Sequence, residues 1–571
     1  MHVYRLNPRR HHGTTETLTK TLVPAVLVSP KANIRTRPYT AKLPRGAYSM
    51  PSQVCVIASL VVAWAGATAA SAQNAPVFQF TEKPGSYQVG LKIVEQYDYS
   101  RVYRPSTDEL GKPYLGERAR PLQTLIWYPA QKSAGKPMTV ADYADLAATE
   151  TSFGKPKIPS DAKEWMSGMK PALTTPLWAV RDALAASGRF PVVIYAPSFS
   201  SWSWENADLC EYLASHGYVV LASPDMGTTS RAMTSDVAGI NAQAGDISFL
   251  IGYAQTLPDT DMSGVAVAGF SWGGLSNLFA AARDNRIHAL VALDGTMRYS
   301  PGLVKQAGDV HPEQMTIPLL YFAQGEIALE DQARRSTDAA RNEGPSVLNS
   351  WTHGDLVTAH MFGLVHVEFS SMYQRNEDVW KGFGDNHKGD YEREDGITGY
   401  AWIARYTLQF LDAYLKHEAA AMAYLKKTAA ENGAPKHFMT VQYRPAKGAP
   451  ASLDAFRSEL GRQGFSHAPD VYAAMRKESP NFKLDETTVN SWAYDLMADS
   501  HLPEAIDLFK LNVQIYPDSG NAFDSLGEAY MKSGQKQLAT ESYGKSLEKD
   551  PTNVNAKEKL KELEANAPPV K

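Results

Sequence analysis

Residues 265–274, Val-Ala-Val-Ala-Gly-Phe-Ser-Trp-Gly-Gly, constrain the fold of this chain more than any other stretch. Small apolar residues in an unbroken run read as a strand buried on both faces. Beyond the turn, Leu275, Leu278, Phe279 and Ala282 recur at i, i+3, i+4 and i+7, the spacing of one helix face. Between strand and helix stands Gly269-Phe270-Ser271-Trp272-Gly273, a G-x-S-x-G sequence. A strand that turns into a helix over so few residues needs neighbours without a Cβ, which the glycines supply. Ser271 then stands at the helix N-terminus, where unpaired backbone N–H groups and the helix dipole favour negative charge. The oxyanion of an acyl transfer forms in such a place. A G-x-S-x-G also arises by chance in glycine-rich loops; the flanking strand and helix give this one its meaning.

A chain of 571 residues is long for one domain, so two or three units are expected. With 44% hydrophobic and 21% charged residues it is an ordinary globular composition rather than a disordered one. The net charge of −4 conceals an asymmetry. Residues 1–72 hold nine Lys or Arg against one Glu, leaving 48 basic and 60 acidic residues in the rest. An acidic body argues against nucleic acid as a partner. Val54 to Ala67 is apolar but short for a membrane span, and it leads to Ala70-Ser71-Ala72, a small-x-small cleavage pattern before Gln73. Residues 1–72 are therefore an N-terminal extension and signal peptide, with Met50 the expected start. An Arg-rich organelle transit peptide is the rival reading. The mature protein is expected to be exported, periplasmic or secreted, with no transmembrane segment. Past the signal only Cys210 remains, so no internal disulfide is possible and export rests on the signal alone.

From Val77 to about Ala130 the pattern reads as antiparallel strands, and residues 139–190 as helical segments broken by Gly and Pro, a flap or cap ahead of the core. Beyond Pro191 short apolar runs recur at Val192–Ala196, Tyr218–Ala222, Val265–Ala268, Ile287–Leu293 and Ile317–Ala323. Helical segments at 203–215, 236–257 and 272–283 lie between them. Such alternation predicts an α/β fold, a mostly parallel sheet with helices on both faces, over residues 73–433. An amphipathic helix at 400–415 closes it. Residues 434–486 read as a linker with short helices.

The C-terminal part, 487–566, repeats. Ala505 and Ala539, Phe509 and Tyr543, and Pro517 and Pro551 are each 34 residues apart. Phe523-Asp-Ser-Leu-Gly-Glu-Ala-Tyr530 fits the opening of the tetratricopeptide pattern, and Val489-Asn-Ser-Trp-Ala493 fits it loosely. Two helical pairs and a capping helix are expected, a small all-α domain able to hold a protein partner. Two repeats are few for independent stability, so they should lean on neighbouring structure.

A serine needs a base to take its proton and an acid to orient that base. Asp294 follows the run Ala289–Leu293, at the carboxyl end of a strand, the functional edge of an open α/β sheet. Glu326 occupies the equivalent place after Ile317–Ala323. Downstream histidines are His353, His360, His366, His387 and His417; His366, in Gly363-Leu-Val-His-Val-Glu-Phe369, has the best loop context. Zinc spacings, P-loops and dinucleotide glycine patterns are absent, so no metal or cofactor is expected.

Taken in order, Pro191-Val-Val-Ile-Tyr-Ala, Leu213-Ala-Ser-His-Gly-Tyr-Val-Val-Leu-Ala-Ser-Pro, Gly269-Phe-Ser-Trp-Gly-Gly, Leu293-Asp-Gly, Ile317-Pro-Leu-Leu-Tyr-Phe and Gly363-Leu-Val-His-Val-Glu-Phe resemble the α/β-hydrolase superfamily. Within it they are similar to plasma-type platelet-activating-factor acetylhydrolases and their dienelactone-hydrolase-like bacterial relatives, over roughly residues 77–417. The resemblance implies a catalytic Ser271, a histidine at His366, and an acid after the next strand at Asp294, with Glu326 the choice of other α/β-hydrolases. Dienelactone hydrolases proper use a cysteine, so that activity is not implied. Where the family has His-Gly, this chain reads Pro197-Ser198-Phe199-Ser200. The oxyanion hole would use the backbone N–H groups of Trp272 and Phe199, with substrate choice altered by the loop. Trp202, Trp204 and Trp272 would wall an aromatic pocket.

The expected activity is an exported serine hydrolase acting on a small-molecule carboxylic ester. The alternative is an interaction protein that binds through its repeats, with the α/β domain as a platform. N-terminal sequencing of the exported protein is expected to find a first residue near Gln73; a mature chain retaining residues ahead of Met50 would exclude the signal.

Overall fold

The structure, a computed structural model, describes residues 78–565 apart from 109, 155, 157, 326–345 and 384–390. The proposed leader, Glu326 and His387 lie outside the described residues.

Eleven strands form one sheet: β1 (Gln88–Val102), β2 (Ala119–Ala130), β3 (Pro137–Thr139), β4 (Pro176–Arg181), β5 (Phe190–Ala196), β6 (Val219–Ala222), β7 (Thr260–Phe270), β8 (Ala289–Leu293), β9 (Leu319–Gln324), β10 (Leu356–Met361) and β11 (Met439–Arg444). Their spatial order is β11-β10-β9-β8-β7-β5-β6-β2-β1-β4-β3. The six from β10 to β6 are parallel neighbours, while β2 pairs antiparallel with both β6 and β1. This is the mostly parallel α/β-hydrolase arrangement that the alternating runs predict, followed by an all-helical region.

Alternation along each parallel strand builds two separate cores. Val193, Tyr195, Ala266, Ala268, Val291, Leu293 and Phe322 face one side, against the helices Ala207–Ser215 and Arg393–Leu415. Val192, Ile194, Val265, Val267, Leu290, Ala292 and Tyr321 face the other, against Val237–Ala254 and Trp272–Ala281. Burying each Val, Leu or Ile contributes about 1.5–3 kcal/mol. Both faces are covered, which is why these strands read as continuous apolar runs.

Four strands depart from the sequence expectation; β3 and β10 fall where no strand was expected, and β4 and β11 fall in segments read otherwise. Residues 176–181, read as part of a helical flap, form β4, which runs parallel to β1 with Val89 opposite Ala179. The flap itself keeps the helices Val140–Ala144 and Ser160–Gly168. Residues 439–444, placed in a linker, form β11, antiparallel to β10 from Met361↔Met439 to Leu356↔Arg444. Asp355 anchors it, accepting hydrogen bonds from Tyr414 Oη (2.6 Å), Tyr443 Oη (2.8 Å) and Ala446 N (2.8 Å). Burial pulls that carboxyl upward in pKa, but these donors outweigh it and hold it below the ordinary carboxylate value.

The helical region has its own core. Helices Glu486–Ala498, Leu502–Ile515, Gly520–Lys532 and Lys536–Lys549 follow one another, so that the second pair repeats the bounds of the first 34 residues on. Val554–Ala565 begins where a further repeat would. Ala505, Phe509, Ala539 and Tyr543, the positions that recur in sequence, are all fully buried. Gly527 lies against the Tyr543 ring, where a Cβ would be 2.9 Å from Cδ1. Helices Leu453–Gln463 and Ala468–Glu478 add Phe456, Leu460, Ala468 and Val471 to the same core. A chain cut after residue 486 would leave those apolar side chains without partners, whereas one cut after residue 449 keeps both sheet cores whole. The fragment ending at 486 is expected to bind a hydrophobic dye and aggregate, and the fragment ending at 449 to melt as one cooperative unit; dye fluorescence and calorimetry on the pair check this.

Candidate active site

β7 ends at Phe270 and the helix begins at Trp272, so Ser271 makes the whole turn, with φ 53° and ψ −113°. That conformation costs a non-glycine residue on the order of 1–3 kcal/mol. Three backbone bonds hold it: Ser271 N donates to Leu293 O (3.0 Å), and Ser271 O accepts from Gly274 N (3.1 Å) and Thr296 N (2.7 Å). The crossing is tight. A Cβ on Gly273 would fall on the carbonyl of Ala196 and lie 2.7 Å from Pro197 O; one on Gly269 would lie 2.5 Å from Gly273 C.

The loop before the short helical turn His366–Phe369 brings His366 over this serine. His366 Nε2 is 2.9 Å from Ser271 Oγ, and Nδ1 is 2.6 Å from Asp294 Oδ2. The Asp294 contact makes Nδ1 the protonated nitrogen, which leaves Nε2 as the acceptor of the serine proton. The imidazole also lies against the Phe270 ring, tilted by 39° with the centroids 4.9 Å apart. Asp294 follows β8, is fully buried, and itself turns at φ 44°. Its second oxygen accepts from Tyr299 Oη at 2.7 Å and, more weakly, from Gln324 N at 3.3 Å. A buried carboxylate with its lone pairs met in this way is fixed in direction.

The other sequence candidates separate from this cluster. His353 Nδ1 bonds Gly448 O at 2.6 Å, His360 lies within β10, and His417 follows the helix Arg393–Leu415. Trp204 is buried in the first core, stacked at 6.3 Å on Trp202, so it is packing rather than pocket wall. Trp202 meets Trp165 of the flap, and Trp165 meets Tyr373, which lies edge-on to Phe270.

Phe199 and Trp272 are neighbours, their rings edge-to-face at 5.4 Å. Among the described residues neither backbone N–H is given to a protein acceptor. The peptides on either side of Phe199 N are pinned: Ser198 N donates to Glu205 Oε2 (2.9 Å) and Ser200 N to Asp225 Oδ2 (2.8 Å). From the far side Arg231 donates to the carbonyls of Ser200 (2.9 Å), Asp225 (2.8 Å) and Ser201 (3.1 Å), and to Glu150 Oε2 at 3.2 Å. Burial pushes the Asp225 carboxyl well up in pKa, opposed by Ser200 N and Arg231. This cage of Glu205, Asp225, Arg231 and Tyr299 went unread in the sequence. Asp225 carried a usable signal, since it follows β6 as Asp294 follows β8; Tyr299 carried none.

Among the described residues no group of His, Cys, Asp and Glu has the arrangement of a metal site, and no helix is long and apolar enough to cross a membrane. The elbow's tolerance can be measured by itself. Gly273→Ala is expected to destabilise the protein by about 1–3 kcal/mol, because the blocking atoms are backbone and cannot rotate away. Gly252→Ala, in the helix Val237–Ala254 with only Arg286 Nη1 at 3.7 Å, should be neutral or stabilising by up to about 1 kcal/mol. Denaturant unfolding of both variants checks the contrast.

No protein-family model matches this sequence, and a search of curated proteins finds no match. Among solved structures it is similar to a ferulic acid esterase from Streptomyces cinnamoneus, with 19% identity, coverage of 59% of this chain and 93% of that one, and a TM-score of 0.41. At that level of similarity it is this chain's own strand order and elbow that establish the fold.

Proposed function

We propose that this chain is a serine hydrolase that cleaves carboxylic esters through Ser271, His366 and Asp294. The observation that carries the reading is the unbroken path from Ser271 Oγ to His366 Nε2 (2.9 Å) and from Nδ1 to Asp294 (2.6 Å), set on a strained elbow. Ser271 Oγ attacks the ester carbonyl while His366 Nε2 takes its proton. The developing oxyanion is met by the N–H groups of Trp272 and Phe199 at the helix N-terminus. His366 returns the proton to the leaving alcohol, and an acyl-enzyme remains on Ser271. Water, deprotonated by His366, releases the acid and restores the serine. Asp294 keeps the imidazole in the tautomer that accepts at Nε2 and stabilises the imidazolium, and Tyr299 keeps Asp294 aimed. Glu326 is the alternative acid, which the kinetics below separate from Asp294.

The leader-like residues 50–72 support export to the periplasm or medium. The 34-residue recurrence of helix bounds supports reading 487–566 as tetratricopeptide-type repeats that hold a protein partner. In the interaction-protein alternative, the same repeats would be the whole function and Ser271 would be inert.

A fluorophosphonate probe should label the wild type and not Ser271→Ala, and p-nitrophenyl esters of graded chain length should be turned over by the wild type alone. Asp294→Asn is expected to lower kcat on the order of 10⁴-fold with the fold retained by circular dichroism, and Glu326→Gln far less. The opposite ranking would transfer the acid's role to Glu326, and a wild type that neither labels nor hydrolyses would leave the platform reading.

A further inference from the structure

Glu205 is fully buried, yet among the described residues its carboxylate forms no ion pair with any Lys or Arg. It stands just ahead of the helix Ala207–Ser215 and between two segments that the proposed reaction needs. On one side is the loop after β5. Glu205 Oε2 accepts from Ser198 N (2.9 Å) and Tyr195 Oη (2.9 Å), and Oε1 accepts from Ser198 Oγ. On the other side is the stretch that follows His366. The Glu205 carbonyl accepts from Ser370 Oγ (3.0 Å) and Met372 N (3.1 Å). Asn206 extends the seam, donating to Tyr195 Oη (2.6 Å) and Phe369 O (3.1 Å) and accepting from Ser371 N (2.9 Å) and Tyr400 Oη (2.9 Å).

We infer that Glu205 is a positioning residue for the reaction proposed above: its buried carboxylate fixes the Pro197–Ser200 loop against the His366 segment, so that the Phe199 N–H and the imidazole keep one relation to Ser271. The inference rests on the hydrolase reading. The direction of the hydrogen bonds defines what the site requires. Ser198 N can only donate. Tyr195 Oη already accepts from Asn206, so its single proton goes to Glu205. The carboxylate is therefore met by donors, as an ionised acid should be. Removing the side chain would leave Ser198 N and Tyr195 Oη buried without that acceptor, and the hold on the loop would slacken.

Burial pushes the Glu205 carboxyl up from its ordinary value, against the pull of its donors, led by Ser198. The titratable groups facing it are Tyr195 from β5, Cys210 from the helix Ala207–Ser215, and Tyr373 from the helix Ser371–Arg375. Burial drives all three upward, so they stay uncharged in acid and Glu205 is the one that changes state.

Glutamine is the informative replacement. Its oxygen can occupy the Oε2 place and accept from Ser198 N and Tyr195 Oη, while its NH₂ donates to Ser198 Oγ after that hydroxyl turns. It keeps the clamp without the charge. In full-length protein, with p-nitrophenyl acetate as substrate, Glu205→Gln should hold kcat within about tenfold of wild type at pH 8. Glu205→Ala should lose kcat about 100-fold or more with KM within about threefold, the size of effect seen when one oxyanion donor is removed. A folded Glu205→Ala with kcat within threefold of wild type would overturn the inference. So would a folded Glu205→Met, which fills the space without a carboxylate acceptor, with kcat within threefold of wild type, and this second variant decides the matter if the alanine variant does not fold. An inactive, unlabelled wild type would instead remove the hydrolase reading itself, so the two failures are told apart.

Discussion

The contact on which the rest depends is the crossing of the Trp272–Ala281 helix over the end of β5, with Gly273 lying on the Ala196 carbonyl. It leaves no room for a side chain, and it forces Ser271 alone to absorb the change from strand to helix. Such strain persists only where the surroundings over-determine it. Here the third strand along, β8, supplies the restraint through Leu293 O, and the turn after it supplies Thr296 N. β8 therefore both locks the serine's backbone and delivers Asp294 two bonds away from it. Geometry and chemistry are secured by the same strand.

Around that crossing the structure spends polar groups where an apolar core would be simpler. Glu205, Asp225 and Asp294 are each buried, and each accepts from backbone N–H groups of a loop end or from tyrosine hydroxyls. An unmet buried carboxylate costs several kcal/mol, so each of these must be met, and meeting it fixes the loop that does so. Three loop ends at the carboxyl edge of the sheet are thus made rigid by the acids they surround. Glycine-poor loops such as Pro197–Ser201 can then hold a defined shape without regular structure.

The parts legible in the sequence are those whose signal is local. Parallel strands covered on both faces announce themselves as apolar runs, and the elbow by its glycines; Asp294 and His366 stood beside such runs. β4 was hidden because six residues opening on Pro176 show no clean alternation. β11 does alternate, with Met439 and Val441 inward and Thr440 and Gln442 outward, but prolines at 435 and 445 gave it the look of a linker. The long closing helix begins at Arg393 rather than Tyr400, disguised by Gly396 and Gly399, which are there because Glu368 and Leu364 press against it. Glu205, Arg231 and Tyr299 escape any linear reading, since their partners lie 5 to 81 residues away and only the folded loops bring them together.

The edge strand β11 carries a consequence for the chain's two halves. Gly448 is still bonded to His353, and the first helix of the C-terminal core is capped by Ser452, so only about four residues separate sheet from helical region. A tether of that length spans roughly 14 Å at full stretch. Anything the helices grip is kept in the neighbourhood of the sheet at an effective concentration in the millimolar range, whatever its abundance in bulk. On the proposed hydrolase and partner readings, a weak ester substrate carried on such a partner would meet Ser271 as an intramolecular event.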